Sequence, residues 1–131
     1  MRFLLDTNVL LWWMSDDRKL SKEAREIIAN PSNEGLVSSA SIWEIAIKAS
    51  LGRIDIELND LEDAIVASGF QPLVIAVRHA VAVGQLPAVH RDPFDRMLVV
   101  QATVEKLRII SHDQVFERYG LSAEGVPPII V

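Results

Sequence analysis

The sequence predicts an α/β protein, a three-layer α/β/α sandwich around a central, mostly parallel sheet. Three observations predict it. Short apolar runs alternate with longer stretches of helical periodicity. Helices outnumber strands, as they do when helices cover both faces of a sheet. The 131 residues contain no internal repeat, low-complexity segment or linker, so one domain over 1–131 is expected.

Arg2 to Leu5 reads as the first strand, followed by a polar break at Asp6-Thr7-Asn8 that carries helix-capping residue types. The apolar stretch Val9 to Met14 then reads as a helix, and Ser15 to Lys19 as a charged connection. Ser21 caps a helix running to Asn30, where Pro31 stops it. Gly35 to Ser39 is a short buried strand, and Ser41 to Leu51 a helix closed by Gly52. After a connection at Asp55 to Leu58, Asn59 opens a helix with Glu62 three residues on, the spacing of a capping box, and Gly69 ends it. Pro72 to Ile75 reads as a strand, Ala76 to Val83 as a helix, and Leu86 to Arg91 as a loop. Asp92-Pro93 starts a helix with proline at its first position, running to about Lys106. A strand at Arg108 to Ser111, a short helix at Asp113 to Tyr119 and a final strand at Ile129 to Val131 complete the chain.

Composition narrows the chemistry. Hydrophobic residues make up 50% and charged residues 24%, a globular balance that excludes disorder, collagen-like repeats and a coiled coil. With no cysteine, disulfide frameworks, thiolate zinc sites and cysteine nucleophiles are excluded. The absence of a targeting segment, and of any run of about 20 apolar residues, leads us to expect a soluble cytoplasmic protein without a membrane partner. The net charge of −5 argues by itself against a broad nucleic-acid binder.

Four carboxylates share one kind of setting. Asp6 and Asp113 each follow a strand and precede a helix, while Glu44 and Asp95 fall in the first turn of a helix. Each has a plain structural role: Asp6 and Asp113 as N-caps, Glu44 as the far member of a capping box with Ser41, Asp95 as a favourable charge on a helix dipole. Together they mean more, because strand C-termini and helix N-termini of a parallel sheet collect along one edge, where ligand sites form. Acids gathered there repel unless a cation neutralises them. An all-oxygen donor set favours a hard divalent ion, Mg²⁺ or Mn²⁺, which suits phosphate-ester chemistry.

The stretches LLDTNVLLW, SIWEIAIK, HRDPFDRMLVVQA and IISHD carry these acids in order, at intervals of 38, 51 and 18 residues. In these motifs the chain resembles the PIN-domain ribonucleases, in particular the VapC-type toxins of bacterial toxin–antitoxin pairs. The resemblance implies a PIN-like fold and an acidic quartet of Asp6, Glu44, Asp95 and Asp113 that binds the metal and carries catalysis. It further implies site roles for Thr7, Asn8 and Ser111. It also implies an RNA substrate, a cognate antitoxin and a homodimer. Asp92, the near rival of Asp95, is placed by Pro93 as the N-cap.

Other residues are weighed against ordinary roles. Lys48 stands four residues after Glu44, the spacing of a helical ion pair, or holds an RNA phosphate. By the resemblance, Arg96 or Arg91 contacts substrate phosphate or the antitoxin's acidic groups; otherwise each pairs with a surface neighbour, the reading favoured for Arg91. His79, His90 and His112 are scattered and read as polar side chains without a metal role, although His112 adjoins Asp113. Trp12, Trp13 and Trp43 read as core or interface residues before base-stacking ones. Since Trp12 and Trp13 are adjacent on a helix, one of them is expected to be exposed.

The expectation is therefore a Mg²⁺- or Mn²⁺-dependent endoribonuclease. Two alternatives remain. One is a PIN-like binding protein without turnover, against which the intact quartet speaks. The other is a receiver-type phospho-acceptor domain, which wants paired acids directly after its first strand. Here the adjacent acids Asp16-Asp17 lie in a connection well beyond it, and Lys106 sits at a helix end.

Overall fold

The computed structural model describes residues 1–88, 91–119 and 129–130. Five strands, β1 (Arg2–Leu5), β2 (Glu34–Ser38), β3 (Gln71–Leu73), β4 (Arg108–Ser111) and β5 (Ile129–Ile130), form one sheet in the order β3-β2-β1-β4-β5. Every pairing is parallel, with Leu4 opposite both Leu36 and Ile109. Seven helices are described: α1 (Thr7–Ser15), α2 (Lys22–Ala29), α3 (Ser39–Ser50), α4 (Leu58–Ala67), α5 (Val77–Val83), α6 (Pro93–Glu105) and α7 (Val115–Tyr119).

The layers follow from strand alternation. Side chains of successive strand residues point to opposite faces, and both faces of the central strands β2, β1 and β4 are buried. Phe3, Leu5, Val37 and Ile110 pack on one side with Val9 and Leu10 of α1, Ala24 of α2, Ile45 of α3, and Leu61 and Ile65 of α4. Leu4, Leu36 and Ile109 pack on the other with Leu98, Val99 and Ala102 of α6 and Phe116 of α7. The central strands are accordingly apolar where they are covered on both faces, at Phe3–Leu5, Leu36–Val37 and Ile109–Ile110. Gly35 in β2 is required by this packing: a Cβ there would lie 2.7–2.8 Å from the rings of Phe3 and Phe70.

Several boundaries differ from the sequence reading, each for a local reason. The first helix begins at Thr7, because Asp6 itself accepts the Val9 N–H at 2.7 Å as N-cap. Helix α3 starts at Ser39, with Ser38 as N-cap accepting from the Ala40 N–H at 3.0 Å. The capping box expected of Ser41 and Glu44 is consequently not the start of this helix, and Glu44 lies in its second turn. Helix α4 starts at Leu58, since the Glu57 carboxylate accepts the Asn59 N–H at 3.3 Å, so Asn59 and Glu62 do not cap it. Its expected stop holds: Gly69 takes φ +79°, a left-handed conformation natural to glycine. Strand β3 ends at Leu73, short of Ile75, whose N–H donates to the Ser39 hydroxyl at 3.2 Å and not to the sheet. Pro72 is tolerated because β3 lies at the edge. The caps read at Ser21 and Asp92 are present, and Asp92 accepts from both the Phe94 and Asp95 N–H groups. The final strand spans Ile129–Ile130, while Val131 lies outside the described residues.

A buried polar chain links the second layer. The Ser38 hydroxyl donates to Gln101 Oε1 at 2.5 Å, and Gln101 Nε2 donates to the Val74 carbonyl at 3.3 Å. His79, also buried, accepts the Ala76 N–H at Nδ1, which leaves the ring proton on Nε2 to donate to Glu105 at 2.8 Å. Arg78 also bonds Glu105, and these two donors hold the Glu105 carboxyl below the usual carboxylate range. This chain fastens the end of β2 and helix α5 to α6.

Candidate active site

In a parallel sheet the C-terminal strand ends and the following helix starts lie on one edge. Here that edge carries a polar cavity of about 230 Å³, lined by Asp6, Thr7, Asn8, Glu44, Lys48, Asp92, Asp95, Asp113 and Phe116. The four acids singled out in the sequence reach it from separate places: Asp6 after β1, Glu44 from α3, Asp95 from the first turn of α6, and Asp113 after β4.

Asp6 is only 5% exposed. Its carboxylate accepts the Val9 N–H and a hydrogen bond from the Ser111 hydroxyl. Burial pushes its carboxyl up to about 6 from 3.8, helped by the charges of Asp95 and Asp113, while the two hydrogen bonds oppose the rise. Such crowding favours a cation. Ser111 also accepts the Asp113 N–H at 2.9 Å, so one hydroxyl ties two of the acids together. Asp113 Oδ1 accepts the Val115 N–H at 2.9 Å and opens α7.

Glu44, largely buried, pairs with Lys48 at 2.9 Å, and both line the cavity. The helical ion pair and the place at the site are therefore the same fact. Thr7 donates to the Ser41 hydroxyl at 3.0 Å, both residues buried, which locks the start of α1 to α3. Sequence reasoning missed Ser41 in this role because it read the residue as a cap. The signal was present: a hydroxyl three residues before Glu44 lies one helical turn away on the same face. Gln101 was missed as well, a wholly buried amide in an otherwise apolar helix pattern.

The arginines go elsewhere. Arg96 donates to the backbone carbonyls of Pro87 at 3.0 Å and Val83 at 3.3 Å, fastening α6 to the end of α5. Arg91 is exposed and, with Arg96, lines a neighbouring cavity and not the acidic one. His112 packs its ring edge-on to Trp12 at 5.6 Å, His79 belongs to the buried polar chain, and His90 lies outside the described residues. The expected exposure of Trp12 or Trp13 is not found. Both are half-buried against the core, Trp12 beside His112 and Trp13 beside Phe70 at 6.4 Å. Trp43 is instead the exposed indole, at 61%.

The donor set is all oxygen, which fits a hard divalent ion. Among the described residues no three acidic or imidazole groups form a closed ligand cluster.

A parallel α/β/α sandwich with an acidic pocket at the strand ends defines the class of protein. The family model described as PIN domain matches residues 3–121, and the chain belongs to that family. Among solved structures, DNA-bound VapBC from Salmonella typhimurium has a chain with a TM-score of 0.66 at 22% identity, covering 100% of this chain and 97% of that one. VapBC2 from Rickettsia felis, bound to a DNA fragment from their promoter, gives 0.64 at 14% identity, covering 87% and 89%. VapBC-1 from nontypeable Haemophilus influenzae gives 0.56 at 19%, covering 86% and 87%. These likenesses are of fold. Among curated proteins nothing matches the chain. No described helix is long and apolar enough to cross a membrane.

Proposed function

We propose that this protein is a Mg²⁺- or Mn²⁺-dependent endoribonuclease, the toxin of a VapBC-type pair, held in check by a cognate antitoxin and acting in the cytoplasm as a homodimer. The observation that carries the catalytic part is the convergence of Asp6, Glu44, Asp95 and Asp113 on one polar cavity from four separate elements. The toxin role, antitoxin and homodimer rest on family membership and on the fold shared with chains of VapBC complexes.

Asp6, Asp95 and Asp113 would hold the ion directly or through water, and Glu44 would complete the shell or orient the attacking water. When bound, the ion neutralises charge on a phosphate oxygen and lowers the pKa of water. The chain's own groups do the rest. Val9 N–H and Ser111 aim the Asp6 carboxylate into the cavity. Lys48 keeps Glu44 in place at 2.9 Å and presents its ammonium to a phosphate in the cavity. Thr7, through Ser41, fixes the turn that presents Asp6 and Asn8. The net charge of −5 then includes the ligands of a dication, and RNA binding is expected to be modest and ion-dependent.

The test is Mn²⁺ titration and RNA cleavage by the parent and Asp6→Asn, followed by sequencing of RNA ends after induced expression. EDTA-sensitive cleavage by the parent, absent from Asp6→Asn and Asp95→Asn, is expected. Equal Mn²⁺ binding and equal cleavage in parent and Asp6→Asn would overturn the site assignment.

A further inference from the structure

Beside the acidic cavity lies a second one of about 330 Å³, lined by Ala40, Trp43, Ile75, Phe94, Arg91 and Met97 among others. The two cavities share their supports. Helix α3 gives Glu44 to the acidic cavity and the preceding Trp43 to this one; helix α6 gives Asp95 to the first and the preceding Phe94 to the second. The geometry points to Trp43 and Phe94 as a stacking platform for an unpaired nucleotide base next to the phosphodiester, with Arg91 at its rim. This rests on the nuclease reading above.

The chemistry of the pair of cavities matches the two halves of a nucleotide. One side is lined by carboxylates and one lysine, and suits an ion and a phosphate; the other is apolar and aromatic with cations beside it, and suits a flat base and its flanking backbone. Trp43 and Phe94 meet with ring centroids 5.3 Å apart at 78°, an edge arrangement that fixes the indole. Trp43 nevertheless stays 61% exposed, whereas Trp12 and Trp13 are half-buried against the core. A rigid, open indole one residue from a catalytic acid is what stacking on a base requires. Stacking of this kind accepts any base but needs one freed from a duplex, so the substrate class is unpaired RNA.

The experiment uses the whole protein with Mg²⁺ and two small probes, adenosine 5′-monophosphate and ribose 5-phosphate, read by the indole N–H signals in NMR. Adenosine monophosphate is expected to shift one indole signal, the one missing in Trp43→Phe, and ribose 5-phosphate to leave it in place. In cleavage of a single-stranded RNA, Trp43→Ala is expected to lower kcat/KM by about 10- to 100-fold, and Trp43→Phe by only a few-fold. Removing the base beside the cut should cost the parent a similar factor and cost Trp43→Ala nothing further. The parent result stands even should the alanine variant fold poorly.

Equal cleavage of intact and abasic RNA by the parent would overturn the platform and leave the nuclease reading untouched. Loss in Trp43→Ala that is the same for both RNAs and accompanied by dissociation in sedimentation would mark Trp43 as a self-association surface instead. Failure of the nuclease reading shows separately, as no difference between parent and Asp6→Asn on any RNA, and the platform then falls with it.

Discussion

The hydroxyl of Ser111 donates its hydrogen bond to the carboxylate of Asp6, a residue 105 positions earlier in the chain. Both sit at the C-terminal ends of paired central strands, where Leu5 lies opposite Ile110. The same hydroxyl accepts the Asp113 N–H. A single small side chain thus sets the relative positions of two acids, and Ser111→Ala is expected to act on both. The Ser111 bond lowers the Asp6 pKa, so its loss raises it. The acidic limb of the pH–rate profile then moves to higher pH, while the N–H of the exposed Asp113 turns to water, so the loss in urea unfolding is expected to stay at about 1 kcal/mol. Ser111→Thr, which keeps the hydroxyl, should restore the profile.

Asp6 also makes the metal-free fold pH-sensitive in an unusual direction. Its folded pKa is raised to about 6 from 3.8, so between these values the native state binds more protons than the unfolded chain. Its contribution therefore falls as pH rises through this window, by up to about 3 kcal/mol. Asp6→Asn, whose amide oxygen still caps α1, is expected to be more stable than the parent at pH 7.5 and nearly equal to it at pH 4. Urea denaturation of both proteins in EDTA measures this. Saturating Mg²⁺ should stabilise the parent and leave the variant unmoved.

Lys48 balances charge within the acidic cavity. Lys48→Met removes that balance while keeping the aliphatic length, and is expected to tighten Mn²⁺ binding by about fivefold, a shift of the size one nearby charge produces. RNA cleavage at saturating Mn²⁺ should fall by about tenfold if the ammonium meets the phosphate. Isothermal titration and cleavage assays separate the two effects, and a fall in both would show that Lys48 acts only by holding Glu44.

Gly35 is the tightest point of the core. An added methyl would collide with Phe3 and Phe70, whose rings already lie within van der Waals reach of the strand. Gly35→Ala is expected to cost about 1–3 kcal/mol and to lower Tm by several degrees. Mn²⁺ affinity of the folded fraction should stay unchanged, since the strain sits near the start of β2, away from the strand ends that carry the acids.

The class of fold and the four acids were legible from the chain because both are written locally. A strand followed at once by Asp6, or by Asp113 two residues after Ser111, can be read without knowing what lies across the sheet. Capping of α3 was not legible in the same way, since Ser38, Ser39 and Ser41 are equally good caps by type. Only the end of β2 decides in favour of Ser38, and Ser41 is then free for Thr7. Arg96 read as a phosphate contact because it neighbours Asp95, yet one residue along a helix turns the side chain by about 100° and sends it to the carbonyls of α5. The same rotation carries Trp43 and Phe94 out of the acidic cavity and together in the next one. Exposure of Trp43 was hidden because its neighbours Ile42 and Ala46 make that part of α3 look wholly apolar.

The bond between Ser111 and Asp6 also has a timing consequence. A ribosome adds roughly 5–20 residues per second, so Asp6 is made several seconds before the residue that positions it. Until β4 has slotted in beside β1, the first acid has neither its strand neighbour nor its hydroxyl. The growing chain consequently carries no assembled acidic centre until Ser111 has been made and β4 has paired with β1.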